Sequence, residues 1–164
     1  MIKRIKIIAL FFVVSLFFAG VAGAATTSTT LSVSTTVIPT CTVSATPVNF
    51  GSTDGQTTVY SNGGVTVNCV TGTVYNITLD GGLRASANWR QLADGAGNFL
   101  NYELGRPTFG EWGDSGYANT YLWGTSVGGT GTGVEQPYVV YGRLYTGSVP
   151  PGTYTDVVNV TVNY

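Results

Sequence analysis

The sequence predicts an all-β protein, an antiparallel sandwich, on three observations. Six or seven short segments alternate apolar and polar residues with the two-residue period of a strand. No segment between them repeats with the 3.6-residue period of a helix. Turn residues, drawn from 23 glycines and 6 prolines, separate the segments at short intervals.

Residues 42–50 (TVSATPVNF) and 64–70 (GVTVNCV) are β-branched, alternating runs. In residues 73–80 (TVYNITLD), Val74, Asn76 and Thr78 face opposite to Tyr75, Ile77 and Leu79. The DGG at 80–82 turns the chain. NWRQL and FLNYEL flank the turn ADGAGN, which predicts a hairpin with Leu100, Tyr102 and Leu104 on one face. TYLWG (120–124) reads as a short strand, the Gly/Thr-rich stretch 124–133 as a flexible loop, and QPYVVYGRL (136–144) as a strand. GSVPPG (147–152) is a turn that feeds the final segment, 154–164. There Val158, Val160, Val162 and Tyr164 alternate with Asn159, Thr161 and Asn163, the pattern of a half-buried strand with no sequence after it to pair with.

The amino-terminal stretch MIKRIKIIALFFVVSLFFAGVAGA sets Lys3, Arg4 and Lys6 before an apolar run and ends in Ala22-Gly23-Ala24. That is the pattern of a secretory signal peptide over residues 1–24. Removing it from 164 residues leaves 140, the size of one domain. Four of the seven cations then remain, all arginine, against eight acids, a net charge of −4. Such a surface has no basic patch for nucleic acid or an anionic membrane. Both cysteines, Cys41 and Cys69, lie in the exported part, where oxidation joins them. With no histidine in the chain, zinc ligation is not expected. If 42–50 and 64–70 are antiparallel neighbours, pairing 41 with 69 sets Phe50 opposite Tyr60.

Several motifs imitate chemistry. GGTGTG lacks the G-x-G-x-x-G spacing and a following helix, and GRPTFGEW lacks the lysine and hydroxyl of a phosphate loop, so no cofactor is expected. Glu103, Glu111 and Asp114 could serve as a glycosidase pair, but acids in Gly-rich loops are expected to be solvated. The usual general bases and nucleophiles are mostly missing, and the chain reads as a non-enzyme. Asn76 and Asn159 begin glycosylation sequons inside predicted strands. Trp112, Tyr117, Tyr121 and Trp123 could stack on sugars, which keeps a carbohydrate-binding adhesin as an alternative, although the preferred reading is that some of these rings fill the core and the rest cover a loop.

Residues 26–40 (TTSTTLSVSTTVIPT) have a linker's composition, yet Leu31, Val33, Thr35 and Val37 take every second position, with Ser32, Ser34 and Thr36 between. An exposed strand of this kind, without Lys or Pro to blunt it, is a sticky edge.

CTVSATPVNFGS from Cys41, VTVNC, VYGRL and VPPGTYTDVVNVTVNY together resemble the spore coat protein U domain family, whose members include pilin subunits of archaic, Csu-type chaperone-usher pili. The resemblance covers essentially the whole mature chain. It departs at YELGRPTFGEW, where many relatives carry a longer strand-like run. It implies an immunoglobulin-like antiparallel sandwich over 41–164 that is incomplete, its last strand supplied by a neighbouring subunit or chaperone, and a donor extension over 25–40. Leu31, Val33 and Val37 would be the donor side chains, and Val158, Val160, Val162 and Tyr164 the acceptor edge. The implied partners are other copies or related subunits, a periplasmic chaperone and an outer-membrane usher, with no nucleic acid and no metal. The implied destination is the cell surface, in a pilus for adhesion and biofilm formation. A coat protein that inserts its own extension is the alternative within the family.

Overall fold

The computed structural model describes residues 23–86, 89–107, 110–117 and 124–164. The expected signal peptide lies outside them except for Gly23 and Ala24, as does nearly all of the strand expected at 120–124. The chain divides into two units, residues 1–36 and 37–164. In the first, residues 23–36 form no strand and are exposed throughout, with Leu31 87% and Val33 86% accessible.

The described residues of the second unit form an all-β sandwich of eight strands: β1 (Cys41–Thr46), β2 (Val59–Cys69), β3 (Val74–Leu79), β4 (Arg90–Ala93), β5 (Phe99–Gly105), β6 (Val127–Thr130), β7 (Gln136–Leu144) and β8 (Val160–Asn163). One sheet runs β1-β2-β7-β5-β4 and the other β6-β3-β8, and every pairing is antiparallel. Two such sheets packed face to face are an immunoglobulin-like sandwich.

Alternation builds the core. Val65, Val67 and Cys69 of β2, Leu100, Tyr102 and Leu104 of β5, and Val140 and Leu144 of β7 point inward from the larger sheet. Tyr75, Ile77 and Leu79 of β3 meet them from the smaller, all buried to 2% exposure or less. Each such side chain contributes about 1.5–3 kcal/mol by leaving water. Trp112 fills the space between the sheets, its indole N–H donating to the Ile77 carbonyl at 2.9 Å. Tyr117 stays exposed, and Tyr121 and Trp123 lie outside the described residues.

Four sequence expectations change. Residues 127–130 of the expected flexible loop are β6, paired to β3; Gly128 and Gly129 let the strand run against Asn76 and Tyr75, where a Cβ on Gly129 would sit 2.6 Å from the Tyr75 ring. The predicted strand 42–50 stops at Thr46, and Phe50 is not opposite Tyr60, which pairs with Arg143. The chain leaves the sheet there and crosses its inner face over Gly63 and Gly142, where an added Cβ would come within 2.8 Å of Val48 in each case. Phe50 ends against Tyr102, ring centroids 6.3 Å apart. The final segment is strand only at 160–163 because it changes sheets: Thr155 exchanges both backbone hydrogen bonds with Ala93 of β4, and β8 then pairs with β3. Finally, the acids are not simply solvated. Asp114 is buried, Glu111 pairs with the wholly buried Arg90, and Glu103 pairs with Arg143.

Candidate functional site

Two strand edges, those of β1 and β8, border one cleft. Cys41 opposes Cys69 in the ladder, and the two form a disulfide with a Cα–Cα distance of 4.1 Å. That distance suits a pair that does not exchange backbone hydrogen bonds. Consistently, Val70 N–H donates to the Thr40 carbonyl at 3.0 Å. Every second pair of an antiparallel ladder is bonded, so Thr40, Thr42, Ser44 and Thr46 bond to β2. Cys41, Val43 and Ala45 turn their N–H and C=O groups to the open side. Their side chains lie on the inner face with Val67 and Val65, yet Val43 is 43% exposed where Val67 is wholly buried.

The same reasoning applies to β8. Asp80 N–H donates to the Asn159 carbonyl at 3.1 Å, and the register continues Leu79↔Val160, Thr78↔Thr161, Ile77↔Val162 and Asn76↔Asn163. Asn159, Thr161 and Asn163 therefore bond to β3. Val158, Val160 and Val162 present their backbone groups to the open side while their side chains pack on the core. Tyr164, past the end of β8, is exposed.

Between the edges lies a cleft of about 260 Å³ whose walls include Ala45, Val48, Val158 and Val160 and whose floor is Val65, Leu79, Tyr102 and Val140. It shares Val48, Phe50, Leu92 and Asp156 with a wider cavity of about 750 Å³ that reaches Leu100, Leu144 and Val149. Apolar side chains below, and at both rims backbone groups that pair with no strand among the described residues, are what an additional strand would satisfy.

A polar latch holds the β8 rim. The Asp80 carboxylate accepts the Asn159 backbone N–H at 2.9 Å and its side-chain amide at 2.6 Å. Asp156 accepts the Tyr102 hydroxyl at 2.6 Å and the Leu83 N–H at 2.9 Å. Burial, then the hydrogen bond to Asp156, raises the Tyr102 phenol well above its usual range, so it remains a donor. Beneath them the Arg90 guanidinium donates to the carbonyls of Asp80 (2.8 Å), Leu79 (3.0 Å) and Trp112 (2.7 Å) and to Glu111 (3.1 Å). Sequence reading missed Arg90, Asp80 and Asp156, because burial of a charge in a short hairpin strand leaves no periodic mark. Val43 and Ala45 were legible as alternate apolar residues of the first strand.

A model of the Spore Coat Protein U domain matches residues 27–161. The chain belongs to that family. It is also similar to a chain in the crystal structure of the chaperone–tip adhesion subunit pre-assembly complex from the archaic chaperone-usher Csu pili of Acinetobacter baumannii. The identity is 27% and the TM-score 0.55, over 79% of this chain and 40% of that one. The family member described here thus spans less than half of that solved chain. No curated protein matches it.

Proposed function

We infer that this Spore Coat Protein U domain protein is a structural, non-enzymatic subunit of a chaperone-usher surface pilus, exported through the periplasm and polymerised by strand donation. The observation that carries the reading is the seam between β1 and β8, with Val43, Ala45, Val158, Val160 and Val162 all turning side chains inward and backbone groups outward. Residues 27–37 of another copy have the matching pattern. Leu31, Val33 and Val37 would enter the cleft, and each is worth roughly 1.5–3 kcal/mol when buried. Before assembly a periplasmic chaperone would lend the strand, and an outer-membrane usher would exchange it. Donor and acceptor are different surfaces of one molecule, so the contact is head-to-tail and makes a fibre, suited to adhesion and biofilm formation.

Two variants test this. Copying residues 26–38 after Tyr164 through a flexible linker of about five residues presents the strand at about millimolar effective concentration. The product should be a monomer by size exclusion with a raised melting temperature. Val33→Asp should abolish fibres while the periplasmic subunit persists, since a lone carboxylate would enter an apolar cleft. An unchanged melting temperature in the first and intact fibres in the second would reduce residues 26–38 to a linker. A wild-type protein that purifies as a stable monomer without any partner would favour the self-complemented coat protein instead.

A further inference from the structure

The outer face of the five-stranded sheet carries an organised cluster that the seam does not use. Of the six exposed aromatic side chains among the described residues, Tyr60, Trp89, Phe99 and Tyr141 stand on or beside this face, and only Tyr117 and Tyr164 lie elsewhere. Register places Tyr60, Arg143 and Glu103 in one row across β2, β7 and β5. In the next row Tyr145 donates its N–H to the Asn101 carbonyl, and Asn101 opposes Gln91 of β4. The row from β2 to β4 crosses three strand spacings, about 14 Å.

These side chains fix one another. Arg143 Nε donates to Glu103 Oε2 at 3.0 Å, and its guanidinium lies 4.6 Å from the Tyr145 ring centroid. Trp89 meets Tyr145 edge-to-face at 5.0 Å. Gln91 Nε2 donates to Asn101 Oδ1 at 2.9 Å. The result is a pre-ordered surface with Tyr60 and Trp89 towards its margins and an ion pair, an amide pair and the Tyr145 ring between them.

We propose that this face binds an uncharged, linear oligosaccharide, its pyranose rings stacked on Tyr60 and Trp89 and its hydroxyls bonded to Arg143, Glu103, Gln91 and Asn101. The chemistry selects the ligand class. Arg143 is the lone cation of the cluster and is neutralised by Glu103, so phosphate backbones and anionic lipids find no unpaired charge. A protein partner would have to desolvate an ion pair and two amides at the centre, where protein interfaces are depleted of charge. Sugar hydroxyls both donate and accept, so they can replace the water on these groups, while the apolar faces of the rings cover the aromatics. The proposal does not depend on strand donation at the seam.

The test is titration of the full mature chain with cellohexaose and with chitohexaose, followed by intrinsic tryptophan fluorescence and calorimetry. Saturable binding of at least one is expected. Tyr60→Ala and Trp89→Ala should each weaken it tenfold or more, Trp89→Phe should restore most of it, and Tyr117→Ala should leave it unchanged. Tyr60 is 68% exposed, so its removal leaves the core intact and serves as the decisive variant should Trp89→Ala fail to fold. Absence of saturable binding to both probes, or binding that Tyr60→Ala leaves unaltered, would overturn the proposal. So would a Tyr60→Ala chain that loses self-association rather than sugar affinity, since that would assign the face to a second copy.

Discussion

Arg90→Met should be among the most damaging single substitutions in the sandwich. The side chain is fully buried and its donors serve three carbonyls, of Leu79, Asp80 and Trp112, together with the Glu111 carboxylate. Methionine keeps the volume and removes every donor. Breaking a buried ion pair from one side costs about 3–5 kcal/mol, because the remaining charge and carbonyls stay desolvated without partners. Against a total stability of about 5–15 kcal/mol, that is a large share. For a domain of this size the melting temperature should fall by about 15 °C. The strand-appended variant is the background in which to measure it. Adding Glu111→Gln to Arg90→Met should cost less than the two singles summed, since the orphaned carboxylate is then gone. Because Arg90 holds the Asp80 carbonyl and Asp80 holds Asn159, amide exchange at Asn159 should accelerate in the variant. A cost below about 1 kcal/mol with unchanged exchange at Asn159 would refute the argument that this guanidinium organises the β8 rim.

Three further outcomes follow from the same geometry. The Cys41–Cys69 bridge spans 28 residues, so replacing both cysteines with serine should cost about 3.5 kcal/mol on the chain-entropy model; thiol titration of denatured, unreduced protein should find none free. Val160→Asp places a carboxylate on the cleft wall and should remove the subunit from the periplasm altogether, because neither chaperone nor neighbour could dock; persistence of the variant there would count against the seam as acceptor. Asp94 accepts the Asn98 side-chain amide and two backbone N–H groups in the β4–β5 turn, and these bonds, the Asn98 side chain first, hold its carboxyl below the usual range. A depressed folded value means stability present above the ordinary carboxylate pKa of about 3.9 and lost as pH falls through the folded one. Asp94→Asn should therefore flatten that part of the acid limb of melting temperature against pH, and an unaltered limb would show that the turn does not depend on the charge.

Most of the fold was legible because most of it is alternation. The inward rows Tyr75, Ile77, Leu79 and Leu100, Tyr102, Leu104 follow from period two alone, and the 41–69 register follows from pairing the two cysteines. What escaped depends on contacts distant in sequence. The departure of the chain at Thr46 needs Gly63 and Gly142 beneath it, and each glycine looks like an ordinary turn residue until Val48 is known to cross there. β6 is glycine-rich and reads as a loop, and only its pairing with β3 makes it a strand. Asp114 and Glu111 read as surface acids because a lone buried arginine, Arg90, sits in a hairpin whose alternation does not distinguish it. At the seam, the alternation of Val158, Val160 and Val162 was visible. Which of those residues turn their backbone groups away from β3 required the ladder.

The edges of the two sheets are treated unequally, and that inequality argues for a partner. β4 is covered where Ala93 exchanges both hydrogen bonds with Thr155, at 3.0 and 2.9 Å. β6 is four residues long, and two of them are glycine, a poor template for a further strand. These are the devices by which β-proteins prevent edge-to-edge association. β8 is as short as β6, but it and β1 carry no other such device: along 41–46 and 158–163 there is no glycine, lysine, arginine or proline, and valine recurs at 43, 158, 160 and 162. The latch works in the same direction. By bonding Asn159 to Asp80 it keeps the alternation of β8 in the one phase that aims Val158, Val160 and Val162 outward with their backbones and inward with their side chains. A one-residue slip would reverse both, presenting Asn159 and Thr161 side chains to the core. A rim held in register, with no strand on its far side among the described residues, would be pre-ordered for an incoming chain, the entropy of ordering the acceptor being met on folding rather than on binding.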